Sequence, residues 1–234
     1  MSYKRILLKL SGEAFSGGTG FGIHIPTVER YAREIAEVQK MGIQVAVVVG
    51  GGNFWRGRSA PHMDHAAADQ IGMMGTVMNA LALRETIETQ GIPARCQTSI
   101  EIKDVAEPFI RLRALRHLDK GRVVVFGGGT GNPFFTTDTA AALRGLEIKA
   151  DVIFKATRVD GVYDRDPEKH QDAVFFPRLT HMEALRKGLK VMDSTALSLC
   201  MDNSLPIKVF NISVEGNLKK AAEGQNIGTD VKEE

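Results

Sequence analysis

The chain has 234 residues, of which 43% are hydrophobic and 25% charged, enough for one large globular domain. Thirty Lys and Arg residues against 28 Asp and Glu residues leave a formal charge of only +2, which does not indicate binding of nucleic acid through bulk charge. No apolar run approaches the roughly 20 residues of a membrane-spanning helix, and Cys96 and Cys200 have neither metal-site nor disulfide spacing. We expect a cytoplasmic protein, free of membranes, with a single domain over residues 1–234.

The first part of the chain alternates between two hydrophobic patterns. Ile6–Leu10 and Val45–Val49 are short apolar runs, typical of strands buried in a parallel sheet. Between them, apolar residues from Val28 to Val38 recur with helical period, which predicts a helix with one face on that sheet. Ala66–Thr89 is rich in Ala, Met and Leu and contains no proline, which favours one or two further helices.

The same alternation continues to the end of the chain. Further strands are predicted at Ala94–Thr98, Val123–Phe126, Val152–Phe154 and Ile207–Phe210, with helices at Thr139–Arg144 and near Asn217–Glu223. This order predicts an α/β fold, an open and mostly parallel sheet sandwiched by helices. The loops at the carboxyl ends of such strands converge on one cleft. The irregular segments 99–107 and 160–178 are candidates for function, because long irregular segments in a compact domain are usually functional.

The first predicted strand ends in Lys9, Leu10, Ser11 and Gly12. A lysine inside an apolar strand is costly to bury unless its ammonium reaches a partner, and a phosphate at the end of the strand would be such a partner. Alternatively, the stem of Lys9 lies along the sheet and its ammonium reaches solvent. The motif by itself leaves both interpretations open.

Two further glycine loops have the composition of phosphate sites. Gly50–Gly52 follow the second strand, with Arg56 beyond them; three glycines let backbone amides approach a ligand, and an arginine can donate two hydrogen bonds to phosphate. Gly127–Gly129 lead through a hydroxyl-rich segment to residues 136–138, where a helix N-cap is expected. Residues 136–138 could simply start that helix, but a helix N-terminus also binds anions, and Phe134 with Phe135 could line a base or sugar.

The chain lacks the GxxxxGK[ST] pattern of P-loop enzymes and has no GxGxxG after its first strand. These absences exclude a P-loop enzyme and a Rossmann dehydrogenase. Two phosphate-bearing substrates in one cleft would explain why several phosphate-binding loops are present. The loops therefore indicate phosphoryl transfer between two such substrates.

Five motifs occur in order along the chain: KLSGEAF at 9–15, GGGNFWRG at 50–57, GTGNPFFTTDTAA at 129–141, KATRVDGVYDRDP at 155–167 and KVMDSTALSLCMDN at 190–203. Together they resemble the amino acid kinase family, and within it the branch that phosphorylates UMP. The resemblance implies that ATP and UMP give ADP and UDP in pyrimidine nucleotide synthesis. It also implies Mg²⁺ bound mainly through the ATP phosphates, with no protein cage for a metal.

The resemblance also implies roles for residues at the matching positions. The implied ATP contacts are Lys9, Leu10, Ser11, Gly12, Gly52, Arg56, Thr157, Tyr163 and Asp166. The implied UMP contacts are Gly51, Asp69, Thr130, Gly131, Asn132, Pro133, Phe134, Phe135, Thr136 and Thr137. Lys9, Arg56 and Asp138 would be catalytic, with Asp138 ordering the lysine rather than acting as a base. The N-terminal part would form mainly the UMP side and the oligomer contacts, and the C-terminal part mainly the ATP side.

Regulation and assembly are further implications of the resemblance. Gly17, Gly18, Thr19, Gly20, Phe21 and Gly22 resemble the loop through which GTP activates the family, and UTP is the expected inhibitor. A flexible surface hairpin is the alternative for this loop. The chain departs from the family at His24, where Asp is usual, and at Phe54 and Trp55, which are bulkier than usual. A homo-oligomer, a hexamer, is implied, with the helix from Ala66 as a candidate dimer face.

Two alternatives stay open at this level. Other members of the family phosphorylate carboxylates or carbamate, although they lack the GNPFFTTD run. A nucleotide-binding sensor without turnover would be favoured if Lys9 or Asp138 were replaced, and both are present.

Overall fold

Residues 3–56 and 62–233, which the computed structural model describes, form a nine-stranded sheet and a separate two-stranded hairpin, flanked by helices. Gly57, the last residue of the second motif, lies outside the described residues. The strands of the large sheet are β1 (Arg5–Leu10), β2 (Gln44–Val49), β3 (Ala94–Thr98), β4 (Glu107–Pro108), β5 (Val123–Gly127), β6 (Val152–Thr157), β9 (Arg178–Leu179), β10 (Ile207–Asn211) and β11 (Thr229–Val231). The hairpin consists of β7 (Val162–Tyr163) and β8 (Phe175–Phe176).

The strand order of the large sheet is β4-β3-β5-β2-β1-β6-β10-β11-β9. Its strand pairs are parallel, except that β10 and β11 are antiparallel. The predicted fold class, an open and mostly parallel sheet between helices, is confirmed. β1 and β2 lie at the centre, so the loops that follow them leave the sheet beside the loops of β5 and β6.

Helices cover both faces of the sheet. They are α1 (Ile25–Lys40), α2 (His65–Thr89), α3 (Arg111–Asp119), α4 (Thr137–Glu147), α5 (His181–Arg186), α6 (Ser194–Asp202) and α7 (Asn217–Ala222), with a 3-10 turn at Gly12–Ser16. One hydrophobic core lies under α1, α2 and α7 and contains Leu8 and Leu10. The other lies under α3 to α6 and contains Leu7. Because side chains alternate along a strand, Lys9 faces the second core, towards α4.

The structure extends several predicted elements and adds others. Ala66–Thr89 belongs to a single helix, α2, which Asp64 caps by accepting a hydrogen bond from the amide of Ala67 at 3.0 Å. β6 does not end at Phe154 but continues to Thr157. The short strands β4, β7, β8, β9 and β11 were not predicted, because two or three residues are too few to show a period. The helices α3, α5 and α6 were not predicted either. None of the helices in the described ranges has the length and hydropathy needed to cross a membrane.

Both cysteines are buried free thiols, Cys96 in β3 and Cys200 in α6. Burial raises the pKa of each to about 12. A thiol with such a pKa carries almost no thiolate at neutral pH, so neither cysteine is a candidate nucleophile.

Glu34 is a buried acid on the face of α1 that packs on α7, with only 4% of its surface exposed. Neither carboxylate oxygen has a well-formed hydrogen bond within the described residues. Burial raises the pKa of Glu34 to about 7, against the smaller opposing effects of the Arg30 charge and the Leu218 amide. The folded protein therefore holds this proton more tightly than the unfolded chain does.

We expect Glu34 to make the protein less stable as the pH rises. A folded-state pKa above the ordinary 4.5 gives stability that is complete below pH 4.5 and is lost as the pH rises through 7. Relative to Glu34→Gln, the wild type should lose about 1–2 kcal/mol of unfolding free energy between pH 5 and pH 8.5, allowing for partial screening. Urea unfolding at both pH values measures this, with Glu37→Gln on the exposed face of α1 as the control. A pH-independent difference would contradict the prediction.

Candidate active site

The glycine loops after β1, β2 and β5 enclose one cavity of about 470 Å³ together with the N-terminal half of α2. We call it the loop cavity. The residues of its wall that the sequence singled out for a ligand are Lys9, Ser11, Gly12, Gly50, Gly51, Gly52, Arg56, Asp69, Gly129, Thr130, Phe135, Thr136 and Thr137. Glu13, Gly72 and Thr76 also line it. Loops that are far apart in sequence thus meet at the carboxyl edge of the sheet.

An aspartate lies between two lysines beside the loop cavity. Lys9 in β1 and Lys155 in β6 are direct neighbours in the parallel register, and Asp138 lies in the first turn of α4. Lys9 Nζ is 2.7 Å from Asp138 Oδ1, and Lys155 Nζ donates a hydrogen bond of 2.9 Å to Asp138 Oδ2. The three side chains are only 9%, 15% and 15% exposed, in the order Lys9, Lys155, Asp138. Together they leave one net positive charge at the end of the sheet.

The two lysines keep Asp138 ionised. Burial by itself would raise the pKa of this carboxyl, but the charges of Lys9 and Lys155, together with the hydrogen bond from Lys155, outweigh burial and lower the pKa to about 2. The pKa of Lys155 is lowered by burial and by the nearby Lys9 charge, with Asp138 opposing the shift. At neutral pH Asp138 is therefore ionised, and it acts as a hydrogen-bond acceptor and a counter-ion rather than as a base.

The start of α4 is fixed by a hydroxyl cap and by a second aspartate. Thr136 Oγ1 accepts hydrogen bonds from the amides of Asp138 at 3.0 Å and Thr139 at 3.3 Å, so Thr136 is the N-cap and Asp138 is free to face the lysines. Asp193 accepts hydrogen bonds from the hydroxyls of Thr136 and Thr139, the latter at 3.1 Å, and from the amide of Ala196, which caps α6. This aspartate ties the N-termini of α4 and α6 together.

The three glycines after β2 have different neighbours. A Cβ on Gly50 would lie 2.6 Å from the amide nitrogen of Gly12, and one on Gly51 would lie 2.5 Å from the carbonyl oxygen of Gly72. Gly52 is open, because no atom lies closer than 3.8 Å to its Cβ position. Two of the three glycines are therefore required for packing of the loop, Gly50 against Gly12 and Gly51 against α2. All three line the loop cavity, and only Gly52 has space for a side chain.

Gly51→Ala should destabilise the fold, whereas Gly52→Ala should not. The added methyl on Gly51 meets backbone atoms of α2, and forcing such a contact costs about 1–3 kcal/mol. The methyl on Gly52 enters the loop cavity instead, so we expect near wild-type unfolding with a raised KM for ATP. Thermal unfolding and steady-state kinetics of the two variants test this difference. Equal loss of stability in both variants would contradict it.

Glu13 connects two arginines at the mouth of the loop cavity. It forms an ion pair with Arg56, and its other oxygen lies 3.8 Å from Arg158. The side chains of Arg56 and Arg158 are 59% and 70% exposed, so both guanidinium groups can turn towards a ligand. Arg56 can exchange this carboxylate for phosphate oxygens, which present the same bidentate geometry.

On the α2 side of the cavity, Asp69 reaches the segment before α4. Its Oδ2 accepts a hydrogen bond of 2.7 Å from the amide of Phe134. Phe134 has a φ of 70°, unusual for a residue with a side chain, and both Phe134 and Phe135 are largely exposed. Exposed aromatic rings beside an acid provide the groups needed to bind a sugar and a base.

Several predicted ligand residues lie away from the loop cavity. Leu10 is fully buried in the core, and its carbonyl accepts a hydrogen bond from the Gly50 amide. Tyr163 and Asp166 line a separate cavity of about 170 Å³ beside the hairpin. The Thr157 hydroxyl donates to the carbonyl of Val159. The remaining residues of the 130–137 run that do not line the loop cavity are Gly131, Asn132, Pro133 and Phe134.

The Gly17–Gly22 loop is attached to the glycine loop after β2. The amide and carbonyl of Gly22 both bond to Asn53, at 3.0 and 2.8 Å, and Asn53 is paired with Asn79 of α2. Phe21 packs edge-on against Phe54, with ring centroids 5.9 Å apart. This contact explains why a bulky residue is accommodated at position 54. His24, the other departure from the family, is accommodated because its ring packs on Gly17, which has no side chain. A Cβ on Gly17 would lie 2.3 Å from Nδ1 of this ring.

Comparison with known proteins agrees with this arrangement. Residues 4–211 match the amino acid kinase family. The chain belongs to the amino acid kinase family. Among solved structures similar to it are a UMP kinase from Bacillus anthracis (TM-score 0.96, 40% identity, covering 99% of this chain and 97% of that one) and a UMP kinase from Ureaplasma parvum (TM-score 0.93, 34% identity, 100% of both chains). A uridylate kinase from Archaeoglobus fulgidus has a TM-score of 0.75 and 30% identity over 99% of this chain and 100% of its own.

Within this member of the family, sequence reasoning missed four residues that shape the site. Lys155 went unassigned because the predicted strand ended at Phe154. Glu13 and Asp193 act through contacts distant in sequence, with Arg56 and with Thr136. Thr76 Oγ1 accepts a hydrogen bond of 2.7 Å from the amide of Gly128. This bond fixes the glycine loop after β5 against α2. The available signal was position alone: Lys155 opens the fourth motif, and Asp193 lies in the fifth.

Proposed function

We propose that this chain transfers the γ-phosphoryl group of ATP to UMP, giving ADP and UDP. The observation that carries the proposal is the buried Lys9–Asp138–Lys155 group beside a cavity built from three glycine loops. The similarity to UMP kinases at 34–40% identity over nearly the whole chain supports UMP as the acceptor. The place of the reaction would be cytoplasmic pyrimidine nucleotide synthesis.

In the proposed mechanism the protein supplies positive charge and position. Negative charge builds on the transferring phosphoryl group and on the leaving ADP, and fixed cations lower its energy. Lys9 would contact the transferring group and Lys155 would support it from the neighbouring strand, while Asp138 holds both ammonium groups in place. Arg56 would leave Glu13 and bind the ATP phosphates. The phosphate of UMP is already anionic, so no general base is needed, which agrees with an Asp138 pKa of about 2.

Magnesium fits this site as a partner of ATP. Within the described ranges, no three His, Cys, Asp or Glu side chains cluster as a metal site. The Oδ1 atom of Asp138 is buried and receives the charge of Lys9 but no well-formed hydrogen bond from the described residues. These residues suit an Mg²⁺ ion held mainly by phosphate oxygens, with Asp138 as the protein group that would face its shell. The ion would neutralise phosphate charge.

We assign the two substrates to opposite sides of the loop cavity. UMP would lie towards α2, contacting Gly51, Asp69 and the 130–137 segment. ATP would extend from Lys9, Ser11 and Gly12 towards the cavity that Tyr163 and Asp166 line. In this arrangement the N-terminal part of the chain supplies most of the UMP side and the C-terminal part most of the ATP side.

The test is ADP release from Mg-ATP with UMP, CMP, AMP, aspartate, glutamate or acetylglutamate offered separately. Turnover with UMP and not with the amino acids is expected. Turnover with an amino acid instead would mean that the acceptor is a carboxylate and not UMP, with the fold assignment unchanged. No turnover with any of them, together with ATP binding, would favour a nucleotide sensor.

We also propose that GTP activates and UTP inhibits this enzyme, with the Gly17–Gly22 loop as the responsive segment. The hydrogen bonds from Gly22 to Asn53 support the proposal, because Asn53 directly follows the glycines of the second phosphate loop. A change in the loop can thus move the backbone that faces ATP. The same ADP-release assay with and without GTP or UTP tests it, and an identical rate in all three conditions would contradict it.

We propose that copies of the chain associate into a homo-oligomer, a hexamer, through α2. Ile71, Met74 and Met78 lie on one face of this helix and are 41%, 47% and 44% exposed. Three neighbouring exposed apolar side chains are typical of an interface.

Met74→Lys should therefore shift the protein to a smaller species. Burying an unpaired ammonium in an apolar interface is unfavourable, so we expect a lower mass by light scattering after size-exclusion chromatography. Val214→Lys is the matched control, because Val214 is 46% exposed and lies outside α2. An unchanged mass for Met74→Lys would move the interface elsewhere.

A further inference from the structure

The irregular segment 99–107 touches the site from behind. None of its residues, all of which the structure describes, lines the loop cavity, but its first residue contacts the glycine loop at residues 127–131, which we call the β5 loop. The Ser99 hydroxyl donates a hydrogen bond of 2.8 Å to the carbonyl of Gly129. A Cβ on Gly131 would lie 3.0 Å from the carbonyl oxygen of Ser99. The β5 loop therefore packs directly on Ser99.

The Ser99 hydroxyl is itself fixed by Arg144 of α4. Arg144 Nη2 donates a hydrogen bond of 2.8 Å to Ser99 Oγ. Because a guanidinium group can only donate, the single proton of the hydroxyl is left for the carbonyl of Gly129. Both hydrogen bonds therefore have a fixed direction, and through one side chain they connect α4 to the β5 loop.

Arg144 has little freedom to move. Its side chain is buried, it forms an ion pair with Glu147 one turn further along α4, and its guanidinium carbon lies 3.7 Å from the centroid of the Phe109 ring. A carboxylate and an aromatic face both attract a guanidinium group and hold it in one place. The same helix carries Asp138 in its first turn. The helix that orders the two lysines thus holds the β5 loop as well.

The hydrogen bond from Ser99 sets the direction of the peptide unit between Gly129 and Thr130. In a planar trans peptide the C=O and the N–H point in opposite directions, so the Thr130 N–H points away from Ser99. Within the described residues this N–H forms no hydrogen bond. Gly129 and Thr130 line the loop cavity, whereas Ser99 does not. An amide in this position can donate to an oxygen of a ligand in the cavity.

We propose that Ser99, held by Arg144, is a positioning residue for the phosphoryl acceptor, because it keeps the Thr130 N–H directed into the loop cavity. The inference rests on the proposed function, since Thr130 lies on the side of the cavity assigned to UMP. Without the hydroxyl, the Gly129 carbonyl loses its partner, and glycine itself restricts rotation of the peptide very little. The β5 loop must then be ordered when the acceptor binds, which weakens binding. Binding of ATP does not depend on this peptide.

The test compares Ser99→Ala with the wild type in steady-state kinetics, with UMP and ATP varied separately. We expect the KM for UMP to rise roughly three- to tenfold, the effect of one lost hydrogen bond, with kcat and the KM for ATP within about twofold of the wild type. Ser99→Thr keeps the hydroxyl and should restore the KM for UMP. Thr229→Val is the matched control, because the Thr229 hydroxyl joins the amide of Val162 to the carbonyl of Phe176 towards the other edge of the sheet.

Arg144→Gln tests the link from α4 to Ser99. It should raise the KM for UMP in the wild-type background but add little in Ser99→Ala, because two residues that act through one contact have non-additive effects. Arg144→Lys, which keeps a positive charge beside Glu147, takes its place should Arg144→Gln fail to fold. Additive effects would overturn the role of Arg144 in the proposal.

Amide hydrogen exchange of the ligand-free protein provides a measurement that does not depend on the acceptor. Residues 127–134 should exchange faster in Ser99→Ala than in the wild type or in Thr229→Val. Unchanged exchange would overturn the proposal, and so would an unchanged KM for UMP in an enzyme that phosphorylates UMP. An equal rise of this KM in Thr229→Val would also overturn it. Faster exchange in a protein that does not phosphorylate UMP would leave Ser99 as the residue that orders the β5 loop and would remove the proposed function.

Discussion

Asp138→Ala should lower kcat by about three orders of magnitude or more. The change leaves the ammonium groups of Lys9 and Lys155 side by side in adjacent strands with no counter-ion between them, so neither stays where the transferring phosphoryl group needs it. Loss of one preorganised charge at a transition state costs about 10²–10³ in rate, and here two charges are displaced. The rate of ADP formation at saturating ATP and UMP measures the effect.

Asp138→Ala should also lower the free energy of unfolding by more than the removal of a helix cap would. A cap costs about 1 kcal/mol, but Thr136 is the cap of α4 and Asp138 is a buried counter-ion. Removing one partner of a buried ion pair costs about 3–5 kcal/mol. Asp138→Asn keeps the shape of the side chain and provides a folded variant for kinetics. Near-normal turnover in Asp138→Asn would remove the role assigned to this carboxylate.

The pH dependence of stability gives an independent check on Asp138. Its pKa in the folded protein, about 2, lies below the ordinary 3.8. The stabilisation is therefore complete above about pH 4 and is lost as the pH falls through 2. The difference in unfolding free energy between the wild type and Asp138→Asn should be constant above pH 4 and shrink below it. If this difference in unfolding free energy were unchanged at pH 2, it would contradict the ion pairs of Asp138 with Lys9 and Lys155.

Lys155→Gln should lower kcat by at least about 100-fold while leaving the KM for UMP within a few-fold of the wild type. The variant keeps the Lys9–Asp138 pair but removes the surplus positive charge beside the loop cavity. That charge matters most when negative charge moves between substrates, so its loss affects the transition state more than ground-state binding. Steady-state kinetics with UMP and ATP varied separately distinguish the two parameters.

Lys208→Gln is the matched control for this experiment. Lys208 is another buried lysine of the same sheet, but its partner at 2.6 Å is Asp230, whereas Lys155 pairs with Asp138 beside the loop cavity. Both variants lose a buried ion pair, so both should lose stability, but only Lys155→Gln should lose turnover. Equal loss of kcat in the two variants would mean that Lys155 acts through stability alone.

Local hydrophobic patterns were sufficient to predict the main strands, the principal helices and the fold class. Buried parallel strands such as Val45–Val49 are short apolar runs, and a helix such as α1 has a period of its own, so neither requires knowledge of distant residues. The glycine loops after β1, β2 and β5 could be placed at one edge for the same reason, since parallel strands direct their carboxyl ends alike.

Sequence by itself therefore determined the α/β fold, the glycine-rich edge and, through motif order, the family. The tertiary structure decided which side chains meet there. The register of β1 against β6 places Lys155 beside Lys9, and the approach of α2 makes Gly51 a packing residue. Register and helix approach depend on the summed packing of many residues far apart in the chain. No local pattern encodes them, so the two-lysine group around Asp138 became visible only in the folded molecule.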